Sequence, residues 1–130
     1  MIGVDANVLI RLFTADDLAQ HKKSVEFFGA RTIEEPAFVS VVTIAETIWV
    51  LRSTYKFTYE EVFLAIAGLL DSDDFVLEER SALEHMRIEN KPALTADFLV
   101  AHLGQRAGCS HTVTFDRRAA KAVPSMQLLA

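Results

Sequence analysis

Residues 37–51 read AFVSVVTIAETIWVL and carry one formal charge, Glu46. AFVS (37–40) reads as a strand, and Val41–Tyr55 as the helix that follows it directly. An ionised carboxylate in so apolar a run is costly to bury unless something pairs with it or binds it. At about 100° per residue, Glu46 shares a helix face with Val42, Trp49, Val50 and Ser53, so it is expected to face inward. A second reading is local. Thr43 and Glu46 stand at capping-box spacing, in which the two side chains satisfy free amides at a helix start.

Working outward, the same alternation recurs. IGVD (2–5), FVLE (75–78), HTVTF (111–115) and MQLL (126–129) are strand candidates. Between them lie helices: ANVLIRLF from residue 6, then Asp16–Arg31 with Asp16 or Asp17 near its amino end. Residues 59–71 repeat Val62, Ile66, Leu69 and Leu70 at helical spacing, and residues 79–90 follow as another helix. Ala96–Ala107 is expected to stop near Gly108, and DRRAAKA forms a short last helix. Strands alternating with helices imply a parallel sheet covered on both faces. Such sheets bind ligands beyond the carboxyl ends of their strands. Asp5 ends the first strand and Asp116 directly follows another, so both are expected on that rim. Asp97 shares its helix face with Val100, Ala101 and Gly104, small residues that let a helix approach a sheet closely.

The 130 residues fit one domain, 1–130, with enough chain to bury a core. No apolar run reaches the ~20 residues of a membrane helix, and Asp5 interrupts the first apolar stretch, which has no basic leader. Cys109 is the only cysteine, which excludes an internal disulfide and fits a cytoplasmic protein. The net charge of −5 argues against a simple nucleic-acid binder with a basic face. It leaves room for a metal-dependent enzyme, in which bound cations supply the local positive charge.

Asp5 and Asp116 each have a plain alternative as helix caps, and Asp97 as a first-turn acid facing the helix dipole. Together with Glu46 they make four carboxylates that would repel one another or take up protons unless cations intervene. Oxygen donors of this kind suit Mg²⁺, which keeps several waters and needs few carboxylates. Cys109 and His111 are too few and too close for zinc, and His21, His85 and His102 lack paired ligand spacing. Asp71, Asp73 and Asp74 read as a solvated turn.

VDANVLIRLF, SVVTIAETIWVLRSTY, TADFLVAHLGQRAGC and TVTFDRRA together resemble the PIN domain, and within it the VapC-type toxin ribonucleases of toxin–antitoxin pairs. The resemblance runs from about residue 2 to residue 128. It implies a three-layer α/β/α sandwich with a short central parallel sheet. Asp5, Glu46, Asp97 and Asp116 match the family's catalytic and metal-binding acids, with Asn7 and Thr114, and Ser40 more loosely, in supporting positions. The implied activity is Mg²⁺-dependent endoribonuclease, with Mn²⁺ as a substitute. Metal-activated water would hydrolyse RNA phosphodiesters to 5′-phosphate and 3′-hydroxyl ends. Arg117 and Arg118 stand where some relatives have a further acid. With Lys121 they are expected either to track the RNA backbone or to form a solvated basic turn. The implied partners are a VapB-type antitoxin, docking near Phe13 and Phe27 with a basic side chain reaching the carboxylates, and a second copy in a homodimer. Two alternatives stand beside this reading. A small phosphatase would need Asp-x-Asp, and Asn7 breaks that pattern. An inert PIN-fold interaction module would keep the fold without turnover.

Overall fold

The computed structural model describes residues 1–89 and 96–129, and the end of the expected 79–90 helix lies outside them. Among these residues are seven helices and five short strands in the expected alternation. Their order is β1 (Ile2–Gly3), α1 (Ala6–Phe13), α2 (Leu18–Gly29), β2 (Ala37–Val39), α3 (Val41–Ser53) and α4 (Tyr59–Leu70). Then come β3 (Phe75–Leu77), α5 (Arg80–Glu89), α6 (Ala96–Arg106), β4 (Thr112–Thr114), α7 (Arg117–Ala122) and β5 (Met126–Leu128).

Every strand pair is parallel. β1, β2 and β3 form one sheet in that order, with Ile2 opposite Ala37 and Phe38 opposite Val76. β4 and β5 form a second pair, with Val113 opposite Gln127. Parallel neighbours need long crossovers, which the helices provide. The result is the expected PIN-like α/β/α architecture.

Two apolar clusters hold it together. The larger gathers Leu9 from α1, Ile44 and Leu51 from α3, Val62 and Ile66 from α4, Leu83 from α5 and Leu99 from α6. The smaller is made of Ala101, Ala119, Val123 and Met126, from α6, α7, the residue after it and β5. Helix α6 thus contributes to both, Leu99 to one and Ala101 to the other. It is fastened further at Glu79, which enters α5 from a left-handed backbone conformation, φ 59°. The Glu79 carboxylate meets His102 Nε2 at 3.2 Å and pairs with Arg106, both on α6.

The face assignment of α3 is corrected. Its buried stripe is Thr43, Ile44, Thr47, Ile48 and Leu51. Glu46 is exposed, as are Val42 and Trp49. Ile48 lies two residues beyond Glu46, roughly 200° round the helix, so one of the two must face away from the core. Apolar residues on both sides of α3 hide this in the sequence. The cap is corrected as well. Ser40 begins α3, its hydroxyl oxygen accepting from the Thr43 amide at 3.1 Å. The complete capping box lies at Thr58 and Glu61 instead. On α2, the spacing of Leu18, Val25 and Phe28 predicts one apolar face, but only Phe28 of the three is buried, with Ser24, and Leu18 and Val25 are exposed. Helix α1 is better covered than its all-round apolarity suggests. Leu9 and Ile10 are buried, and Phe13 packs against the main cluster.

Candidate active site

Asp5 follows β1 and caps α1, its carboxylate accepting from the Ala6 amide at 2.7 Å. Asp116 follows β4 and caps α7. Its Oδ1 accepts from the amides of Arg118 (2.8 Å) and Ala119 (3.0 Å). That cap uses a single carboxylate oxygen. Thr114 supports the turn, because its hydroxyl oxygen accepts from the Asp116 amide at 3.0 Å. Both acids therefore cap a helix and stand just beyond a strand at once, so the expected caps are present.

Asp97 lies in the first turn of α6 and is half-buried. It shares a cavity of about 470 Å³ with Asp116, Trp49, Arg52, Ser53 and Tyr59. The structure thus brings two of the four acids, from successive helices, to one hollow. Close approach of α6 to β4 contributes. An added Cβ at Gly104 would come within 2.9 Å of Thr112 Oγ1, so the small-residue face seats the helix as expected. Val100, on the same face, is exposed.

Asp5 and Glu46 do not line this cavity. They sit on neighbouring elements. The Thr43 hydroxyl, one turn before Glu46, donates to the Val4 carbonyl at 3.3 Å and ties the start of α3 to the end of β1. Asn7 lines a different hollow, between α1 and α2. Ser40 is occupied as the α3 cap.

Among the described residues, no three His, Cys, Asp or Glu side chains are arranged to hold a metal ion by themselves. Mg²⁺ does not require three. It is commonly held by one or two carboxylates, with water and substrate phosphate completing the octahedron. The hard oxygens of Asp97 and Asp116 fit that donor set, and the hollow between them leaves room for water and phosphate. The sulfur of Cys109 is exposed, and His111 bonds Ser110 instead.

The cavity wall contains residues the sequence reading passed over. The Arg52 guanidinium lies 3.8 Å from the centre of the Tyr59 ring, and its Nη1 donates to the Phe57 carbonyl at 2.6 Å. Trp49 stands beside it, 64% exposed. A tryptophan three positions from a candidate acid was the available signal, masked by the assignment of that face to the core.

The α1–α2 hollow measures about 400 Å³ and is lined by Asn7, Val8, Arg11, Lys23, Ser24 and Phe27. Phe13 is not part of its wall. At one end Arg11 Nη1 donates to Asp16 at 2.6 Å, and the Tyr55 hydroxyl bonds the same carboxylate. Burial works to raise the Asp16 carboxyl, but these bonds outweigh it and hold it below the usual range. Arg117, Arg118 and Lys121 are all exposed beside Asp116. No described helix is long and apolar enough to cross a membrane.

Comparison with known proteins adds two findings. The PIN domain family model matches residues 2–123. No curated protein matches the chain.

Proposed function

The chain belongs to the PIN domain family, and from that premise we propose that it is a divalent-metal-dependent endoribonuclease acting as the toxin of a toxin–antitoxin pair. PIN domains are generally metal-dependent nucleases, and the fold here is of that nuclease type. One observation carries the reading. Asp97 and Asp116, nineteen positions apart on α6 and at the start of α7, line a single cavity at a strand end with Arg52.

Asp97 and Asp116 would hold the ion, and Asp5 and Glu46, exposed on the neighbouring strand end and helix, would be its further acidic partners. When bound, a divalent ion lowers the pKa of attacking water and offsets charge on the phosphate. The chain's own residues do the remaining work. The cap bonds hold Asp116 Oδ1 and the Thr114 hydroxyl holds its backbone amide, so the second carboxylate oxygen is left free for the ion. Arg52, held against Tyr59, supplies a positive charge to a phosphate entering the cavity. Arg117, Arg118 and Lys121 contact the flanking RNA backbone.

The antitoxin reading rests on the α1–α2 hollow, where Val8 and Phe27 offer apolar surface and Arg11 and Lys23 a charged rim. A peptide helix of the antitoxin would seat there, and a homodimer would complete the toxin. A second reading, an inert interaction module, is favoured by the exposure of Asp5 and Glu46 outside the cavity.

Incubating the purified chain with RNA separates the two. Cleavage should require Mg²⁺ or Mn²⁺, stop with EDTA, and be lost in Asp97→Asn with the fold retained by circular dichroism. Metal-independent cleavage would overturn the metal role, and no cleavage at millimolar metal would overturn the nuclease reading.

A further inference from the structure

We propose that Trp49 is a stacking platform for an unpaired RNA base beside the scissile phosphate, with Arg52 gripping the adjoining phosphate; this rests on the ribonuclease reading above. Trp49 is the only tryptophan in the chain. It is 64% exposed, yet it lines the same cavity as Asp97 and Asp116. Scattered exposed apolar residues need no explanation. An indole left in solvent at the wall of a two-carboxylate cavity is differently placed.

Its surroundings are built. Ile48 is buried next to it. The Ser53 hydroxyl donates to the Trp49 carbonyl at 2.7 Å, one turn on along α3. Arg52 is held by the Tyr59 ring and the Phe57 carbonyl. Its guanidinium has five N–H donors, and one such bond leaves others for phosphate oxygens.

Charge explains why stacking would be needed. The chain carries a net charge of −5, and the cavity itself holds two carboxylates. A polyanion gains little from the overall field of such a protein. Base–aromatic stacking supplies affinity that does not depend on that field and tolerates any base. It does require an unpaired base, because both faces of an internal duplex base are already covered. Trp49 therefore selects single-stranded positions for cleavage.

The test uses the full chain and the fluorescence of its one tryptophan. With EDTA present to prevent cleavage, a short single-stranded oligoribonucleotide should quench Trp49 saturably, and the blunt duplex of the same sequence should not. With Mg²⁺, Trp49→Ala should raise KM about tenfold, the scale of one lost stack, while kcat stays within about twofold. Trp49→Phe should restore most of the loss, which a merely structural role would not predict for an exposed side chain.

Metal-dependent cleavage by the wild type, with no quenching and no change of KM in Trp49→Ala, overturns the stacking role and leaves the nuclease reading standing. Saturable quenching by single strands without cleavage overturns the nuclease reading, and with it the place of Trp49 beside a scissile phosphate. Neither quenching nor cleavage overturns both. A shift in Trp49 emission with protein concentration alone, accompanied by dimer formation, assigns the indole to a second copy and overturns the proposal.

Discussion

Asp116 has a structural and a chemical task, and two substitutions separate them. Its Oδ1 accepts from two amides at the start of α7, at 2.8 and 3.0 Å. Asparagine retains an accepting oxygen at that position and caps about as well as aspartate. It loses only the charge at the amino end of a six-residue helix, so Asp116→Asn should alter stability by within about 0.5 kcal/mol. Alanine removes both bonds. Caps are worth about 0.5–2 kcal/mol, and two good bonds place this one in the upper half, at about 1–2 kcal/mol. For a chain of this length that lowers Tm by roughly 3–10 °C. Both variants should lose metal-dependent RNA cleavage, because neither keeps the carboxylate. Thermal denaturation and cleavage at saturating Mg²⁺ measure the two effects independently. Equal stability of the two variants would refute the capping contribution, and wild-type cleavage by Asp116→Asn would refute the ligand role.

Three further outcomes follow from other sites. Gly104→Ala should gain helix propensity but press its Cβ on Thr112 Oγ1; it should therefore be stabilising by up to about 1 kcal/mol only in a Thr112→Ala background, and a double-mutant cycle showing no coupling would disprove the contact. Asp71 is held below the ordinary carboxylate range first by its bonds from Arg87, at 2.6 and 3.1 Å. A carboxyl depressed on folding contributes stability above its unfolded pKa of about 3.9 and loses it as pH falls through the lower folded value. Asp71→Asn should thus flatten the acid limb of a Tm-versus-pH curve below about pH 4, and an unchanged limb would count against the pair. Phe27→Asp should weaken binding of the cognate antitoxin's carboxyl-terminal peptide in calorimetry while RNA cleavage persists; unchanged affinity would move the partner away from the α1–α2 hollow.

The strands and helices were legible because each carries its own period and its own boundary residue. Reading IGVD and HTVTF as strands placed Asp5 and Asp116 just beyond strand ends, as found, but not in which sheet: β1 pairs with β2 and β4 with β5, so the two acids follow strands of different sheets. Helix α3 shows where such reading stops. Val42, Trp49 and Val50 are as apolar as Ile44, Ile48 and Leu51, so periodicity cannot choose the buried side; packing against α1, α4 and α6 does. Ser40 and Thr43 both suit a cap, and the point where β2 ends selects Ser40. The pairing of Arg52 with Tyr59 depends on how α3 meets α4, a tertiary relation with no local signature. For that reason the two acids of the cavity were foreseeable and its aromatic wall was not.

The uneven size of the two apolar clusters has a consequence for how the molecule loosens. The four residues of the smaller one, Ala101, Ala119, Val123 and Met126, include three short or β-branched side chains and a single long one. Segments with so little apolar cover open more readily than the rest and exchange their amide hydrogens first. The β4–α7–β5 segment, which bears Asp116, should then open before the larger cluster, which holds Leu99 two residues from Asp97. The two acids belong to regions of different opening free energy. On warming, amide exchange in β4–α7–β5 is therefore expected to rise before that of α3 and α4, taking Asp116 out of register with Asp97 first.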